Sequence, residues 1–86
     1  MSSREQIVDV FADVISKILE KNKDEILLNL DAKFKEDLNM TSLEYFPLIG
    51  TLEEKFDIEI DYHDFLTNAL TSNDGIDFVL EIIGSK

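Results

Sequence analysis

Hydrophobic residues near the start of the chain recur every three or four positions, the spacing of a helix with one buried face. This pattern predicts a helix over residues 3–20, with polar side chains such as Asp9 and Lys17 on the opposite face. Ser2 followed by Glu5 has the spacing of a capping box at its start. The apolar positions on the predicted buried face are Ile7, Val10, Phe11, Val14, Ile18 and Leu19.

The periodicity is lost between residues 21 and 40. A polar stretch over residues 21–24 opens this segment, and we expect the apolar residues after it to pin a long loop containing at most a short helical turn. A loop of about 20 residues is uncommon in a compact domain and tends to be functional. The apolar residues expected to pin it are Ile26, Leu27, Leu28 and Leu30.

A second long helix is predicted to begin at Thr41, because Thr41 and Glu44 have the spacing of a capping box. Pro47 removes the helical hydrogen bond to the carbonyl of Leu43, and Gly50 costs about 1 kcal/mol relative to Ala. We therefore expect the helix to be bent or loosened near residues 43–50. Its apolar stripe comprises Leu43, Phe46, Leu48, Ile49, Leu52 and Phe56.

The last third of the chain predicts two further helices. Residues 57–61 alternate like a strand, but no other segment would pair with them, and a lone strand cannot be satisfied. We expect an extended connector that buries Ile58 and Ile60, then a short helix over residues 62–66. A final helix over residues 72–83 ends at Gly84, with Ile76, Val79, Leu80 and Ile83 facing inward. The predicted fold is a single all-α domain over residues 1–86, a small bundle of three main helices and a short extra one.

Charge changes this picture by concentrating in one region. The chain of 86 residues has a formal net charge of −11, and residues 36–64 hold nine acidic residues against a single lysine, Lys55. Such a surface attracts basic partners in a salt-dependent way, although a solvated acidic surface that only maintains solubility is the alternative. The sign of the charge disfavours nucleic acid and anionic membranes as partners.

Several chemical classes are excluded by composition. The chain has no cysteine and one histidine, which removes disulfides, thiolate metal sites and multi-histidine sites. No apolar run approaches the roughly 18 residues of a membrane helix, and no signal-peptide core is present. We therefore expect a cytoplasmic protein, and we expect it to be a monomer.

Asp37, Asn39 and Thr41 have the spacing of the first ligands of a calcium-binding loop. The glycine and the glutamate that such a loop needs at later positions are here Ser42 and Leu48, so we reject a calcium site.

Ser42 is the candidate chemical site that the local pattern suggests. It takes the first position of the predicted helix, after a long loop, where unpaired amide groups favour an anion. A phosphodiester on its oxygen would be stabilised there. From spacing alone, an ordinary serine at a helix start is the simpler interpretation.

The residues around Ser42 resemble the modification motif of acyl carrier proteins. In that family a Phe-x-Glu-Asp-Leu stretch precedes a Ser-Leu pair that opens the second helix, and here Phe34, Glu36, Asp37 and Leu38 precede Ser42 and Leu43. The family's acidic helix end is matched in register by Leu52, Glu53, Glu54, Phe56, Ile58 and Ile60. The resemblance covers residues 4–83.

This resemblance implies a four-helix carrier without catalytic activity of its own. It implies that a phosphopantetheinyl transferase, using coenzyme A and magnesium, attaches a 4′-phosphopantetheine arm to Ser42. Acyl groups then form thioesters with the thiol of the cofactor, since the chain has none. Further implied partners are acyl-transferring or condensing enzymes of fatty-acid, polyketide or related lipid synthesis, with basic docking patches. The implied docking residues are Asp37, Thr41, Leu43, Glu44, Glu53 and Glu54. Candidates for an acyl pocket, each also explained by core packing, are Phe46, Ile49, Leu52, Ile60 and Leu66.

Four positions depart from the family pattern. Thr41 replaces the usual aspartate before the serine, and Asn39 replaces a glycine, although asparagine also tolerates a left-handed backbone. Pro47 and Gly50 are unusual on the helix that follows. These departures suggest a specialised carrier. The alternatives are a carrier-fold interaction domain without the arm, or an aminoacyl or peptidyl carrier.

Overall fold

Five α-helices contain most of residues 4–85, the part of the chain that this computed structural model describes. Within those residues the only extended pairing is an isolated antiparallel bridge between Lys33 and Thr71. The all-α class is therefore confirmed. The capping role predicted for Ser2 lies outside the described residues. The helices are α1 (Arg4–Leu19), α2 (Lys23–Leu28), α3 (Ser42–Phe56), α4 (Tyr62–Asn68) and α5 (Ser72–Gly84).

Helix α1 is central to the packing, because it contacts α2, α3 and α5. Its predicted buried face is largely confirmed, with Ile7, Phe11 and Val14 in the core. The face is rotated slightly, since Ile15 is fully buried whereas Val10 is only partly buried. Aromatic rings continue this core from helix to helix, with centroids 5.4–6.4 Å apart, through Phe11, Phe34, Tyr45, Phe65 and Phe78.

The short turn expected between residues 21 and 40 is the six-residue helix α2. Asn22 caps it, its side chain accepting a hydrogen bond from the Asp24 N–H at 2.8 Å. Ile26 pins the helix to the core. The expectation that Leu28 also does so is wrong, because its side chain is 87% exposed. Leu28 follows Ile26 by two positions and so faces away from α1.

Helix α3 is continuous through Pro47 and Gly50, so the expected loosening does not interrupt it. Its buried residues are Tyr45, Leu48, Ile49 and Leu52, which have the spacing i, i+3, i+4 and i+7 of one helical face. That register places Leu43 and Phe46 on the solvent side, where they are 78% and 60% exposed. The predicted stripe was therefore wrong at these two positions, and it omitted Tyr45.

The connector after α3 buries Ile58 and Ile60, as predicted. Helix α4 is two residues longer than expected, and its N-cap Asp61 accepts a hydrogen bond from the Asp64 N–H at 3.0 Å. Helix α5 buries Ile76 and Val79 fully, and Leu80 and Ile83 partly. It includes Gly84, which has no positive φ, so the predicted glycine stop is misplaced by one residue. No helix within residues 4–85 combines the length and apolar character needed to cross a membrane.

Candidate functional site

Ser42 is the first residue of α3, as predicted, and it is exposed. Its hydroxyl makes no hydrogen bond with any residue in the described range 4–85. The backbone of Thr41 is extended, and its N–H donates to Glu44 Oε1 at 2.8 Å, so the glutamate half of the predicted capping box is formed. A free hydroxyl therefore stands at the positive end of a 15-residue helix.

The loop before Ser42 is tied to the rest of the protein. Phe34 and Met40 are buried, and the Met40 N–H donates to the Phe34 carbonyl at 2.8 Å. The Phe34 N–H donates to the carbonyl of Leu70 at 2.9 Å, beyond α4. Asp37 accepts a hydrogen bond from the Lys33 N–H at 2.8 Å. These bonds join the loop to itself and to the segment after α4, so the chain that leads into Ser42 is held in place.

Asn39 adopts the left-handed backbone conformation, with φ of 56°. This is the conformation expected where the family pattern has glycine. Asparagine is several-fold enriched there among non-glycine residues. The loop therefore keeps its turn without the glycine.

An aromatic pair lies beside Ser42. The hydroxyl of Tyr62, the first residue of α4, donates to the backbone carbonyl of Ser42 at 3.1 Å. The Tyr62 ring stacks on Phe46 with centroids 4.5 Å apart and 14° between the ring planes. Sequence reasoning missed Tyr62, because no local spacing connects residues that lie 20 positions apart.

The six implied docking residues differ in what they contact. Thr41, Leu43, Asp37 and Glu54 are exposed. Glu44 and Glu53 are half-buried, and each carboxylate accepts a backbone hydrogen bond at 2.8 Å, from Thr41 and from Ile60 respectively. Two of the acidic docking residues, Glu44 and Glu53, therefore have structural roles in α3 and are not simply part of a free acidic surface.

Four of the five acyl-pocket candidates lie in or against the core, and the fifth does not. Ile49, Leu52 and Ile60 are buried in the core, and Leu66 packs against it partly buried. Phe46 does not join them, because the register of α3 turns it outward onto Tyr62. Two open grooves, of about 680 and 560 Å³, lie along α5 with α4 and between α1 and the end of α3, and neither is lined by any of the five candidates.

Tyr45, the residue before Phe46 in the chain, is part of the core. Burial raises the pKa of its phenol above the ordinary value, and the nearby phenol of Tyr62 adds to the effect. The Tyr45 ring meets Phe34 and Phe65 edge-to-face. It therefore connects the loop before Ser42 to α4 as a neutral side chain at physiological pH.

Comparison with known proteins gives consistent matches over this region. A family model described as a phosphopantetheine attachment site matches residues 9–72. An acyl carrier protein of Exiguobacterium sibiricum is 36% identical over 77 residues, which cover 90% of this chain and 94% of that protein. An acyl carrier protein of Cyanophora paradoxa is 36% identical over 80 residues, covering 93% and 75%. One from a Sulfurovum species is 38% identical over 73 residues, covering 85% and 93%.

Proposed function

Because this chain belongs to the acyl carrier protein family, we propose that Ser42 carries a 4′-phosphopantetheine arm on which acyl groups are delivered to other enzymes. The observation that carries the proposal is the exposed Ser42 hydroxyl at the start of α3, inside the matched range 9–72. The names of the relatives support an acyl carrier over an interaction domain without an arm.

Attachment requires a phosphoryl transfer from coenzyme A. The Ser42 oxygen forms a bond to phosphorus, the pyrophosphate P–O bond breaks, and adenosine 3′,5′-bisphosphate leaves. The hydroxyl proton passes to a base on the transferase. The resulting phosphodiester anion lies at the positive end of α3, which favours it. When attached, the arm supplies a thiol that holds an acyl group as a thioester, chemistry that a chain without cysteine lacks.

Partner enzymes are proposed to dock on the surface around Ser42. Leu43, Phe46 and Pro47 are exposed on the first turns of α3 and offer apolar contact area. The same part of the chain, residues 36–64, holds nine acidic residues against one lysine, so a fitting partner combines an apolar contact with lysine and arginine side chains. A phosphopantetheinyl transferase and acyl-transferring or condensing enzymes of fatty-acid, polyketide or related lipid synthesis are partners of this kind.

Two further properties of the protein follow from the carrier role. The protein acts on no substrate itself, and its core residues Ile49, Leu52, Ile60 and Leu66 are the proposed shelter for an acyl chain, with core packing as their established role. A monomeric state and a cytoplasmic location stay predictions of the sequence.

Intact-mass spectrometry tests the proposal. The wild-type protein, incubated with coenzyme A, magnesium and a broad-specificity phosphopantetheinyl transferase, is expected to gain the mass of one phosphopantetheine group. Ser42→Ala should gain none. Ser85→Ala is the matched control, because Ser85 is also an exposed serine but lies just after α5, and it should be modified like the wild type. Equal mass gains in wild type and Ser42→Ala, whether zero or one phosphopantetheine group, would refute the proposal.

A further inference from the structure

Tyr62 contacts the first turn of α3 at two points. Its hydroxyl donates to the Ser42 carbonyl at 3.1 Å, and its ring stacks on Phe46 at 4.5 Å. Phe46 follows Ser42 by four positions, so both residues lie on the same side of the helix. The Tyr62 side chain of α4 therefore contacts one side of the first turn of α3 at both ends, at Ser42 and at Phe46.

The inner side of the first turn of α3 is anchored by Tyr45, which is buried in the core, but its exposed side has few other contacts that hold it. Pro47 has no N–H, so the carbonyl of Leu43 lacks the donor that position 47 would supply in a regular helix. The side chains of Leu43 and Phe46 are 78% and 60% exposed, so core packing contributes little on this exposed side of the turn. The bond between Thr41 and Glu44 closes the start of the helix, and Tyr62 supplies the contact from outside it.

Tyr62 is itself well supported. It opens α4, whose start is capped by Asp61 through the Asp64 N–H at 3.0 Å. One helical turn later Phe65 is fully buried, with edge-to-face contacts to Tyr45 and Phe78. Because α4 is anchored in this way, the contacts of Tyr62 with Ser42 and Phe46 fix the candidate attachment site relative to α4.

We propose that Tyr62 is a positioning residue for the modification of Ser42. Its hydrogen bond and its stacked ring hold the first turn of α3 in the orientation in which the Ser42 hydroxyl meets the transferase. This inference rests on the proposed function of Ser42. If the contacts are lost, only part of the population has the competent orientation, and the apparent affinity for the transferase falls by that fraction. The KM for the carrier then rises while kcat is retained.

Steady-state transfer from coenzyme A with a broad-specificity transferase tests this. Tyr62→Phe removes the hydroxyl and keeps the stacked ring, and Tyr62→Leu removes both contacts. We expect KM to rise about two- to tenfold in Tyr62→Phe, the range for one hydrogen bond, and further in Tyr62→Leu, with kcat within about twofold of the wild type. Thr67→Val is the matched control. The Thr67 hydroxyl, like that of Tyr62, belongs to α4 and donates to a backbone carbonyl, but its acceptor is His63 of the same helix, at 2.9 Å, and not Ser42.

Amide hydrogen exchange provides a readout independent of the transferase. Exchange at Tyr45 and Phe46 should be faster in Tyr62→Phe than in wild type and Thr67→Val, by more than the change in the global free energy of unfolding accounts for. An unchanged KM together with unchanged exchange in Tyr62→Phe would overturn the positioning role even if Tyr62→Leu folds poorly. A wild type that is never modified would instead refute the function of Ser42, and the exchange rates would still decide whether Tyr62 orders the turn.

Discussion

Glu53 and Ile60 are joined by a hydrogen bond of 2.8 Å in which the Ile60 N–H donates to the Glu53 carboxylate. The bond ties the end of α3 to the connector that leads to α4. The next residue, Glu54, is exposed, and its side chain makes no hydrogen bond or ion pair with the residues described between 4 and 85. Two adjacent glutamates with the same sequence-based interpretation therefore have different roles.

This difference predicts unequal effects on stability. Glu53→Ala should lower the free energy of unfolding by about 1–2 kcal/mol, because the half-buried N–H of Ile60 loses its acceptor. Glu54→Ala should change it by less than about 0.5 kcal/mol, as for most surface positions. Urea denaturation of both variants measures the contrast, and equal losses would show that the bond with Ile60 contributes nothing.

The acidic surface predicts salt-dependent docking. Glu54→Lys should slow association with a phosphopantetheinyl transferase and weaken the dependence of the association rate on salt, because a basic partner is then repelled. Glu81→Lys on α5 is the control, since α5 packs on α1 and α4 and Glu81 is exposed. Equal association rates for the two variants, measured by stopped-flow, would remove the proposed docking surface.

The two internal helical glycines predict opposite effects of alanine. A Cβ at Gly75 would lie 2.5 Å from Cζ of the buried Phe11, so Gly75→Ala should destabilise the protein by about 1–3 kcal/mol through overpacking. A Cβ at Gly50 meets nothing within 4 Å, so Gly50→Ala should stabilise α3 by about 1 kcal/mol. Thermal unfolding compares the two variants. A stabilised Gly75→Ala would show that the Phe11 ring moves aside freely.

Ser72 predicts a stabilising substitution. Its hydroxyl is fully buried at the start of α5 and has no hydrogen-bond partner in the structure described. Burying such a group without a partner costs roughly 1–3 kcal/mol. Ser72→Ala should therefore be neutral or raise the free energy of unfolding, and it should leave the modification of Ser42 unchanged. A clear loss of stability in urea denaturation would mean that the hydroxyl makes a bond in solution.

Structural features that depend on neighbouring residues in the chain could be predicted from the sequence. The limits of α1, α3 and α5 follow from three- and four-residue periodicity and from residues at helix starts, such as Thr41 with Glu44. The left-handed conformation of Asn39 was also expected from residue type. The burial of Ile58 and Ile60 in the connector followed from their alternation with polar residues.

Contacts between separate helices and loops could not be predicted from the sequence. Helix α3 has apolar residues on more than one side, so the sequence alone did not decide that Tyr45 would be buried and Phe46 exposed. The packing against α1 decides the register. The bonds from Tyr62 to Ser42 and from Ile60 to Glu53 join separate elements, and no spacing rule anticipates them. The sequence therefore indicated where the candidate serine lies, while the groups that hold its helix emerged only from the fold.

The central claim is that Ser42 bears the arm, and tandem mass spectrometry of the protein purified from its own host tests it most directly. We predict a peptide in which the mass of phosphopantetheine, with or without an acyl group, is assigned by fragmentation to Ser42 and not to the adjacent Thr41. Recovery of the protein entirely unmodified, or with the group on another residue, would contradict the account.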